Sequence, residues 1–266
     1  DVFVYTIEDG DGDRSTTTLT INLSDGGLVA PDDHDVTVYE KALDLNKDGA
    51  DLAAGTVTGS LPGDPGETGH GQLDAQGIVP LSYVLVSSAA GNYGVIDLKA
   101  DGSYTYTLTK PYDGATADNG ANTEAGRDSF TYQVTDGNGN KLTGTIYVDI
   151  VDDVPTAHAD SNSVVEGGRI DNGNVLVGAG GDVFGADGPA AAGAGVVGVR
   201  AAEGDVSTAV IGGLDAQIHG QYGTLILQSD GSYVYQSTAD AVPPAGATDV
   251  FVYTIEDGDG DRSTTT

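Results

Sequence analysis

DVFVYTIEDGDGDRSTTT, residues 1–18, decides the fold of this chain, and it returns unchanged as residues 249–266. Large side chains, Phe3, Tyr5 and Ile7, stand at alternate positions before an Asp-Gly-rich centre. Alternation with a period of two is typical of a β-strand with one buried face, and the glycines that follow allow a tight hairpin turn. The sequence therefore predicts the same hairpin twice. The unchanged copy also predicts that the chain is a window on a longer tandem array.

A second, weaker repeat lies inside the first. Residues 128–150, DSFTYQVTDGNGNKLTGTIYVDI, align without gaps on residues 1–23, and residues 93–108, YGVIDLKADGSYTYTL, align on residues 222–237, YGTLILQSDGSYVYQS. The structural unit is therefore one domain, and two diverged domains make one period of the array. Each has roughly 120 residues, close to the usual size of a protein with a single core.

The alignment also sets the expected domain boundaries. We place one domain at residues 27–152 and the other at residues 153–266, and we expect residues 1–26 to be the last two strands of a preceding domain. Because Thr266 matches Thr18, we expect the second domain to lack its final strand. Neighbouring repeats of the same chain are then its expected protein partners.

Strand patterns extend through both domains and predict an all-β fold. In the aligned copy Phe130, Tyr132 and Val134 take the alternate positions, so we expect this set to form the buried face. Gly102 and Gly231 each follow an Asp between two alternating runs, where a tight turn needs a positive φ. Many short strands separated by turns are typical of a Greek-key β-sandwich. The Ala-rich stretch 179–195 contains too much Gly for a stable helix and predicts a long flexible loop.

The composition restricts the possible partners. The chain has 10 Lys and Arg against 41 Asp and Glu, a net charge of −31, which repels nucleic acid and anionic lipid and favours cations. It contains no Cys, and no apolar stretch approaches the ~20 residues that a membrane helix needs. Repulsion among so many carboxylates predicts that the metal-free chain is only marginally stable.

Oxygen ligands cluster in the turns between alternating runs. Carboxylates at alternate positions with glycines between them can face one hard cation, and Ca²⁺ accepts six to eight oxygens. The rival interpretation is a solvated, charged hairpin turn without a metal. The three turns have these candidate ligands: Asp9, Asp11 and Asp13; Asp257, Asp259 and Asp261; Asp136, Asn138 and Asn140.

Acids also concentrate around the two expected domain junctions. Carboxylates crowded at a short linker repel one another unless a cation bridges them, and bridging would fix the angle between the domains. A hydrated, extended polar linker is the alternative. The candidate ligands are Asp149, Asp152, Asp153, Asp160 and Glu166 at the second junction, and Asp25, Asp33, Asp35 and Glu40 at the first.

A third type of candidate begins at Asp44. The residues Asp44, Asn46, Asp48 and Asp51 resemble the opening of an EF-hand loop. The twelfth position is Gly55 rather than the bidentate Glu, so the loop is not a complete EF-hand. A loop calcium site and an ordinary Asx-turn both remain open.

The quoted motifs resemble the immunoglobulin-like, cadherin-like and VCBS-type repeats of giant bacterial RTX adhesins, which type I secretion exports. The resemblance is carried by DGSYTYT at residues 101–107 and by DSFTYQVTDGNGN at residues 128–140. It implies calcium-stiffened extender domains on the bacterial surface, tethered to the outer membrane, which hold an adhesive tip away from the cell for attachment and biofilm formation. The ligand of such a tip is not encoded here.

Two classes of function follow from these patterns. The first is a structural spacer, favoured by the unchanged repeat and by acids in turns. The second is a lectin-like module that binds carbohydrate or a host surface through calcium. The four His residues show no zinc-ligand spacing, and no nucleophile motif is present, so the sequence does not predict an enzyme.

Overall fold

The computed structural model is an all-β protein, as the sequence predicts. Within its described part, sixteen strands form five sheets, and the helices are two single 3-10 turns, Glu40–Ala42 and Pro65–Glu67. Neither is long and apolar enough to cross a membrane. The structure describes residues 1–22, 27–47, 49, 53–112, 114, 120–178, 180–190 and 194–266.

The first hairpin forms a separate two-stranded sheet. Strands β1 (Val2–Glu8) and β2 (Arg14–Thr20) pair antiparallel, and every residue in both is exposed. Phe3 is 52% exposed, and Tyr5 and Ile7 are also exposed. The prediction of a buried aromatic face is therefore wrong for this copy, because no further strand joins this sheet in the described part of the chain.

The second group of strands forms a two-layer sandwich. One sheet has the order β3-β9-β8-β5, with β3 parallel to β9, and the facing sheet has the order β4-β7-β6. This Greek-key arrangement is that of immunoglobulin-like domains. The strands are β3 (Asp33–Tyr39), β4 (Thr68–Gln72), β5 (Ser82–Leu85), β6 (Gly94–Leu98), β7 (Ser103–Leu108), β8 (Thr123–Thr135) and β9 (Lys141–Val151).

The core of this first sandwich lies between its sheets. Phe130, Tyr132 and Val134 are almost fully buried, which confirms the predicted face of β8. Tyr106 packs against Phe130 with ring centroids 5.8 Å apart, and its hydroxyl donates to Asp128 Oδ2 at 2.6 Å. The strand period thus selects which side chains supply the apolar area that stabilises the sandwich.

A second sandwich follows. Its sheets have the orders β10-β14-β13-β12 and β11-β15-β16. Leu227, Val252 and Ile255 are buried in its core, and Tyr235 donates to Asp249 Oδ2 at 2.7 Å, as Tyr106 does to Asp128. The strands are β10 (Arg169–Asn174), β11 (Val196–Ala201), β12 (Ile218–His219), β13 (Gly223–Leu227), β14 (Ser232–Ser237), β15 (Phe251–Glu256) and β16 (Arg262–Thr265).

The predicted tight turns are present in both sandwiches. Gly102 joins β6 to β7 with φ +86°, and Gly231 joins β13 to β14 with φ +79°. A side chain with a Cβ is strained in this region of φ, so glycine is needed at both positions. The two turns fix the register of equivalent strand pairs, which allows the sandwiches to be compared position by position.

Each sandwich has two poles. Because β3 and β9 are parallel, both begin at one end, the upper pole, beside turn 136–140, and both finish at the lower pole. In the second sandwich Ala157 N donates to Ser263 Oγ and Asp160 N to Thr266 O, so the chain enters at the upper pole, beside turn 257–261. The lower pole of the first sandwich therefore leads through the linker to the upper pole of the second.

Candidate metal centre

Six carboxylates from both sandwiches and the linker meet at this junction, and we call them the junction cluster. One oxygen from each of Glu40, Asp152 and Asp187 lies within 4.8 Å of the others, and the same holds for Asp152, Asp259 and Asp261. Asp152 belongs to both groups. The sixth member, Asp257, is linked to the cluster through Asp259. The cluster consists of Glu40, Asp152, Asp187, Asp257, Asp259 and Asp261.

The first sandwich and the linker position Glu40 and Asp152. Glu40 begins the 3-10 turn after β3, is fully buried, and accepts a hydrogen bond on Oε1 from Tyr112 N at 2.6 Å. Asp152 follows β9, and its backbone N donates to Asn122 O at 2.9 Å. Both residues are thus held by backbone contacts, and one oxygen of each lies within 4.8 Å of a carboxylate oxygen of Asp187 in the second sandwich.

The second sandwich supplies the other acids from two loops. Asp257 follows β15, is fully buried, and accepts on Oδ1 from Asp261 N at 2.7 Å and from Gly260 N at 3.0 Å. Gly258 lies against the loop that carries Asp187, since a Cβ there would come 2.5 Å from Asp187 O. Close backbone approach at a glycine therefore brings the two acidic loops together.

Burial and mutual repulsion oppose ionisation in this cluster. Burial, followed by the charges of Asp187 and Asp152, raises the pKa of Glu40 to about 9. Burial, followed by the charges of Asp259 and Asp187, raises the pKa of Asp152 to about 8. Burial, followed by the neighbouring carboxyl group of Asp259, raises the pKa of Asp257 to about 9. Without a compensating positive charge, these acids hold protons at neutral pH.

The donor set fits a calcium ion. Four buried oxygens have no hydrogen-bond partner in the described part of the structure: Glu40 Oε2, Asp152 Oδ1, Asp257 Oδ2 and Asp259 Oδ1. A buried unpartnered carboxylate oxygen is costly unless something binds it. The candidate side-chain ligands are all carboxylates, which hard cations prefer, and Ca²⁺ accepts six to eight oxygen atoms in irregular geometry.

Asp153 has a different role from its neighbour Asp152. Its Oδ2 accepts from Ser60 N at 2.8 Å and from Ala186 N at 3.0 Å, and its Oδ1 accepts from Ser60 Oγ at 2.5 Å. These contacts connect a loop of the first sandwich to a loop of the second. The sequence predicts Asp153 as a calcium ligand, whereas the structure makes it a tether between the domains.

The two other Asp-Gly turns lie away from the junction cluster. Asp9 Oδ1 accepts from the backbone N of Asp11 and of Asp13, at 3.3 and 2.9 Å, and all three acids are exposed although their oxygens lie within 4.8 Å. In the third turn, Asp136 Oδ2 accepts from Asn140 Nδ2 at 3.0 Å. The Asn140 side chain is the main reason that the pKa of Asp136 is lowered.

Several other sequence-predicted ligands also lie outside the cluster. The sequence predicts Glu40 as a ligand at the first junction, whereas in the structure it follows β3 and lies at the second junction. Hydrogen bonds hold the others elsewhere: Asp149 to Gly126 N at 2.7 Å, Asp160 to Tyr253 OH at 2.8 Å, Glu166 to Val242 N at 2.9 Å, and Asp33 to Tyr104 OH at 2.9 Å and to Asp35 N at 3.0 Å.

The EF-hand-like segment is described only in part. Asp44 Oδ1 accepts from Asn46 N at 2.7 Å, which is the hydrogen bond of an Asx-turn. The predicted ligands Asp25, Asp48 and Asp51 lie outside the described residues.

Sequence reasoning missed two acids at the junction. Asp187 lies in the Ala-rich stretch that was interpreted only as a flexible loop, and Glu67, which is 2% exposed, ends the 3-10 turn that packs beside Glu40. Single acids in turns carry no spacing motif. The Asp-Gly-Pro sequence after Ala186 and the Pro-Gly before Glu67 both indicate turns. An acid within a predicted turn is the one feature of the sequence that could have identified these two residues.

Comparisons with known proteins place the chain in a family. The bacterial Ig domain family matches residues 28–149 and residues 152–266, so this chain belongs to that family and contains two of its domains. The calcium-binding lectin RapA2 of Rhizobium johnstonii is 32% identical over 181 residues, which is 66% of this chain and 70% of the relative.

Among solved structures, the chain is similar to extracellular cadherin domains. Protocadherin gamma B2 domains 1–5 match with a TM-score of 0.29 and 12% identity, over 99% of this chain and 49% of that one. Cadherin-like domains 1 to 4 of zebrafish RET match with a TM-score of 0.27 and 13% identity, over 99% of this chain and 56% of that one. The chain thus spans about half the length of each.

Proposed function

We propose that the junction cluster binds calcium and that bound calcium fixes the angle between the two Ig domains. The chain then acts as a stiff extender segment of a secreted bacterial surface adhesin, which projects an adhesive tip for attachment and biofilm formation. The observation that carries this proposal is the origin of the cluster: Glu40 comes from one domain, Asp152 from the linker, and Asp187 and Asp257 from the other domain.

Electrostatics explains why a cation would act as a lock. Like charges at these distances repel strongly in a partly desolvated site, so ionising Glu40, Asp152 and Asp187 together pushes the domains apart. Bound calcium supplies the opposite charge. Asp152 then holds the two groups of acids together, because one of its oxygens lies close to each group. Two ions that share this carboxylate fit the arrangement.

The tether at Asp153 determines what remains when calcium is removed. Its hydrogen bonds to Ser60 and Ala186 keep the two loops adjacent without needing a cation. Interfaces between successive domains are small, and relative motion is the default unless something restricts it. We therefore expect the calcium-free junction to be a short hinge and not a separation of the domains.

The chemistry of the chain is consistent with an extracellular setting. Modules of this kind typically bind calcium with a Kd of about 0.1 to 1 mM, which matches calcium outside cells. A net charge of −31 and the absence of Cys suit a chain that is folded by calcium rather than by disulfides. Neighbouring repeats are the proposed partners, and reach would increase with their number.

A lectin-like function is the second candidate, because the relative RapA2 is named as a calcium-binding lectin. A calcium ion that binds sugar must keep an open coordination position. Glu40 and Asp257 are fully buried between the domains, which favours a closed, structural ion at this site. Binding to a panel of immobilised glycans in calcium and in chelator would separate the two functions.

Small-angle scattering of the chain in millimolar calcium and in excess chelator tests the extender function. We expect one narrow distribution of interatomic distances with a fixed maximum in calcium, and a broader distribution in chelator at unchanged strand content by circular dichroism. Identical profiles in the two conditions, with the domains folded, would contradict the proposal, because packing alone would then set the angle.

A further inference from the structure

We propose that junctions of two kinds alternate along the array: the calcium-locked junction described above, and a second kind that does not respond to calcium. The second kind joins the lower pole of the second sandwich to the upper pole of the next first sandwich. Those two poles meet because residues 1–18 and 249–266 are identical, so the same order of domains recurs. This inference rests on the proposed calcium binding by the junction cluster.

The upper poles of the two sandwiches differ at the turn between their last two strands. Asp136 and Asp257 occupy the same position, and each accepts on Oδ1 from the backbone N four residues later. Asn138 and Asn140 replace the two following acids. The Asn140 amide donates to Asp136 Oδ2, whereas Asp257 Oδ2 is buried without a partner. The turn of the first sandwich therefore satisfies its own aspartate without a cation.

The second acidic loop of the upper pole is also replaced. Gly137 and Gly258 both lie against a neighbouring loop, where a Cβ would come 2.5 Å from Val79 O in the first sandwich and 2.5 Å from Asp187 O in the second. Val79 thus stands where Asp187 supplies a carboxylate to the junction cluster. Its side chain is 77% exposed and offers no ligand atom.

The lower poles also differ, since the second sandwich again offers fewer buried acids than the first. Glu166 corresponds to Glu40, since each accepts a backbone N–H from the loop across the pole, from Val242 and Tyr112 respectively. Glu166 is exposed, and its neighbour Val165 is 78% exposed.

A further difference at this pole lies just before β4 and β10, the strands that pair with β7 and β14. Thr68 pairs with Thr107 in the first sandwich, and Arg169 pairs with Gln236 at the equivalent place in the second. The residue before Thr68 is Glu67, and the residue before Arg169 is Gly168. The lower pole of the second sandwich has therefore lost one of the two buried acids of the first.

Together these replacements remove half of the carboxylates of the junction cluster. The second kind of junction retains Glu166 and Asp136 at the positions of Glu40 and Asp257, and the sequence alignment sets Asp25, which lies outside the described residues, at the position of Asp152. Because Asp136 is already hydrogen-bonded by its own turn and Ca²⁺ takes six to eight oxygens, the retained carboxylates do not complete a site.

The test measures the two junctions in one protein, residues 1–266 followed directly by residues 19–266. The chain has no Cys, so Ser129→Cys and Ala209→Cys, at exposed positions of the two sandwiches, carry the only spin labels. One sample labels both positions within one period, across the junction cluster. The other labels Ala209→Cys of the first period and Ser129→Cys of the second, across the other junction. Pulsed electron resonance then gives each distance distribution in calcium and in chelator.

We expect calcium to narrow the distribution across the junction cluster and to leave the other distribution unchanged. Narrowing at both junctions would overturn the alternation but keep the proposed function. No response at either junction would overturn the proposed function and the inference that rests on it. A response to calcium only at the second kind of junction would overturn both the proposed function and this inference.

A matched exchange tests which residues cause the difference. Asp187→Val, Asp259→Asn and Asp261→Asn give the cluster the residues of the other junction, and removing charge does not leave an unpaired buried ion. We expect this triple variant to remain folded, as judged by circular dichroism, and to lose the calcium response across its junction. A retained response would contradict the assignment of these positions.

Discussion

The two copies of DVFVYTIEDGDGDRSTTT have identical sequences and different environments. In residues 1–18 the strands are exposed, whereas in residues 249–266 they are built into a sandwich, where Tyr253 is 3% exposed. The turn of the second copy lies beside Asp152 and beside the backbone of Asp187, which come from other parts of the chain. The comparison teaches that the candidate metal centre is a property of the junction and not of the Asp-Gly motif.

Ionisation separates the two copies as clearly as burial does. The pKa of Asp9 is lowered, first by a hydrogen bond with Asp11 and then by backbone N–H groups of its own turn. The pKa of the identical residue Asp257 is raised to about 9 by burial and by Asp259. The same carboxylate is thus stabilised as an anion in one copy and destabilised as an anion in the other.

Removing calcium should give the largest loss of unfolding free energy, and the pH dependence of this free energy sharpens the comparison. Binding to the native state adds about 2.7 kcal/mol per site at a hundredfold excess over Kd. In chelator, the folded pKa values of Glu40 and Asp257, about 9, and of Asp152, about 8, lie above the unfolded value near 4. The native state then holds more protons, so the unfolding free energy falls as pH rises between those values.

In calcium the sign reverses, because binding requires these acids to lose their protons. We therefore expect the melting temperature to fall from pH 5.5 to pH 8 in chelator and to rise over the same range in millimolar calcium. Parallel pH profiles in the two conditions would assign the buried acids no role in binding.

Asp153→Ala should give the next largest loss of unfolding free energy. The change removes the hydrogen bonds that join Ser60 to Ala186 and leaves their backbone donors unpaired, which costs about 2 kcal/mol. Because the tether is separate from the cluster, the loss of unfolding free energy should be similar in calcium and in chelator. A loss seen only in calcium would make Asp153 a ligand, as the sequence predicts.

Asp152→Asn tests the shared carboxylate, with Asp149→Asn as the matched control three residues earlier. Asp152 contributes to both groups of acids, whereas Asp149 accepts from Gly126 N. We expect calcium affinity to fall at least about tenfold for Asp152→Asn, since even residues that only support a metal ligand account for 10- to 100-fold. Calorimetric titration measures it. Equal affinity in both variants would place the ion elsewhere.

The smallest effects should come from an ion pair that both hairpins contain. Arg14 Nε contacts Glu8 Oε2 at 2.5 Å, and Arg262 Nε contacts Glu256 Oε2 at 2.6 Å. Partly exposed pairs contribute less than about 1 kcal/mol. We expect Arg14→Ala and Arg262→Ala to change the melting temperature slightly and alike. A large change for Arg262→Ala alone would show that burial affects this pair too.

The sequence predicted the fold well, because strand period and turn chemistry are local properties. The buried face of β8 and the glycine turns at Gly102 and Gly231 follow from alternation and from positive φ alone. The same rule failed for Phe3 and Tyr5, because burial depends on the strands that pack against a face and not on the pattern itself.

The candidate site was predictable only in part. Asp152, Asp257, Asp259 and Asp261 stand in dense acidic motifs and were identified as candidates from sequence. Asp187 was not, since one acid in a Gly-rich loop has no distinguishing neighbours. Which acids meet depends on contacts between residues far apart in the chain, and a linear motif contains no information on those contacts.

A calcium titration of Asp259→Asn against Asp11→Asn tests the central claim most directly. The two residues occupy the same position in identical sequences, and Asp259 alone belongs to the junction cluster. We predict that Asp11→Asn binds calcium and gains thermal stability from it as the parent chain does, whereas Asp259→Asn binds it at least about tenfold more weakly and loses most of that gain. Equal weakening in both variants would show that the Asp-Gly turn, and not the junction, binds the ion.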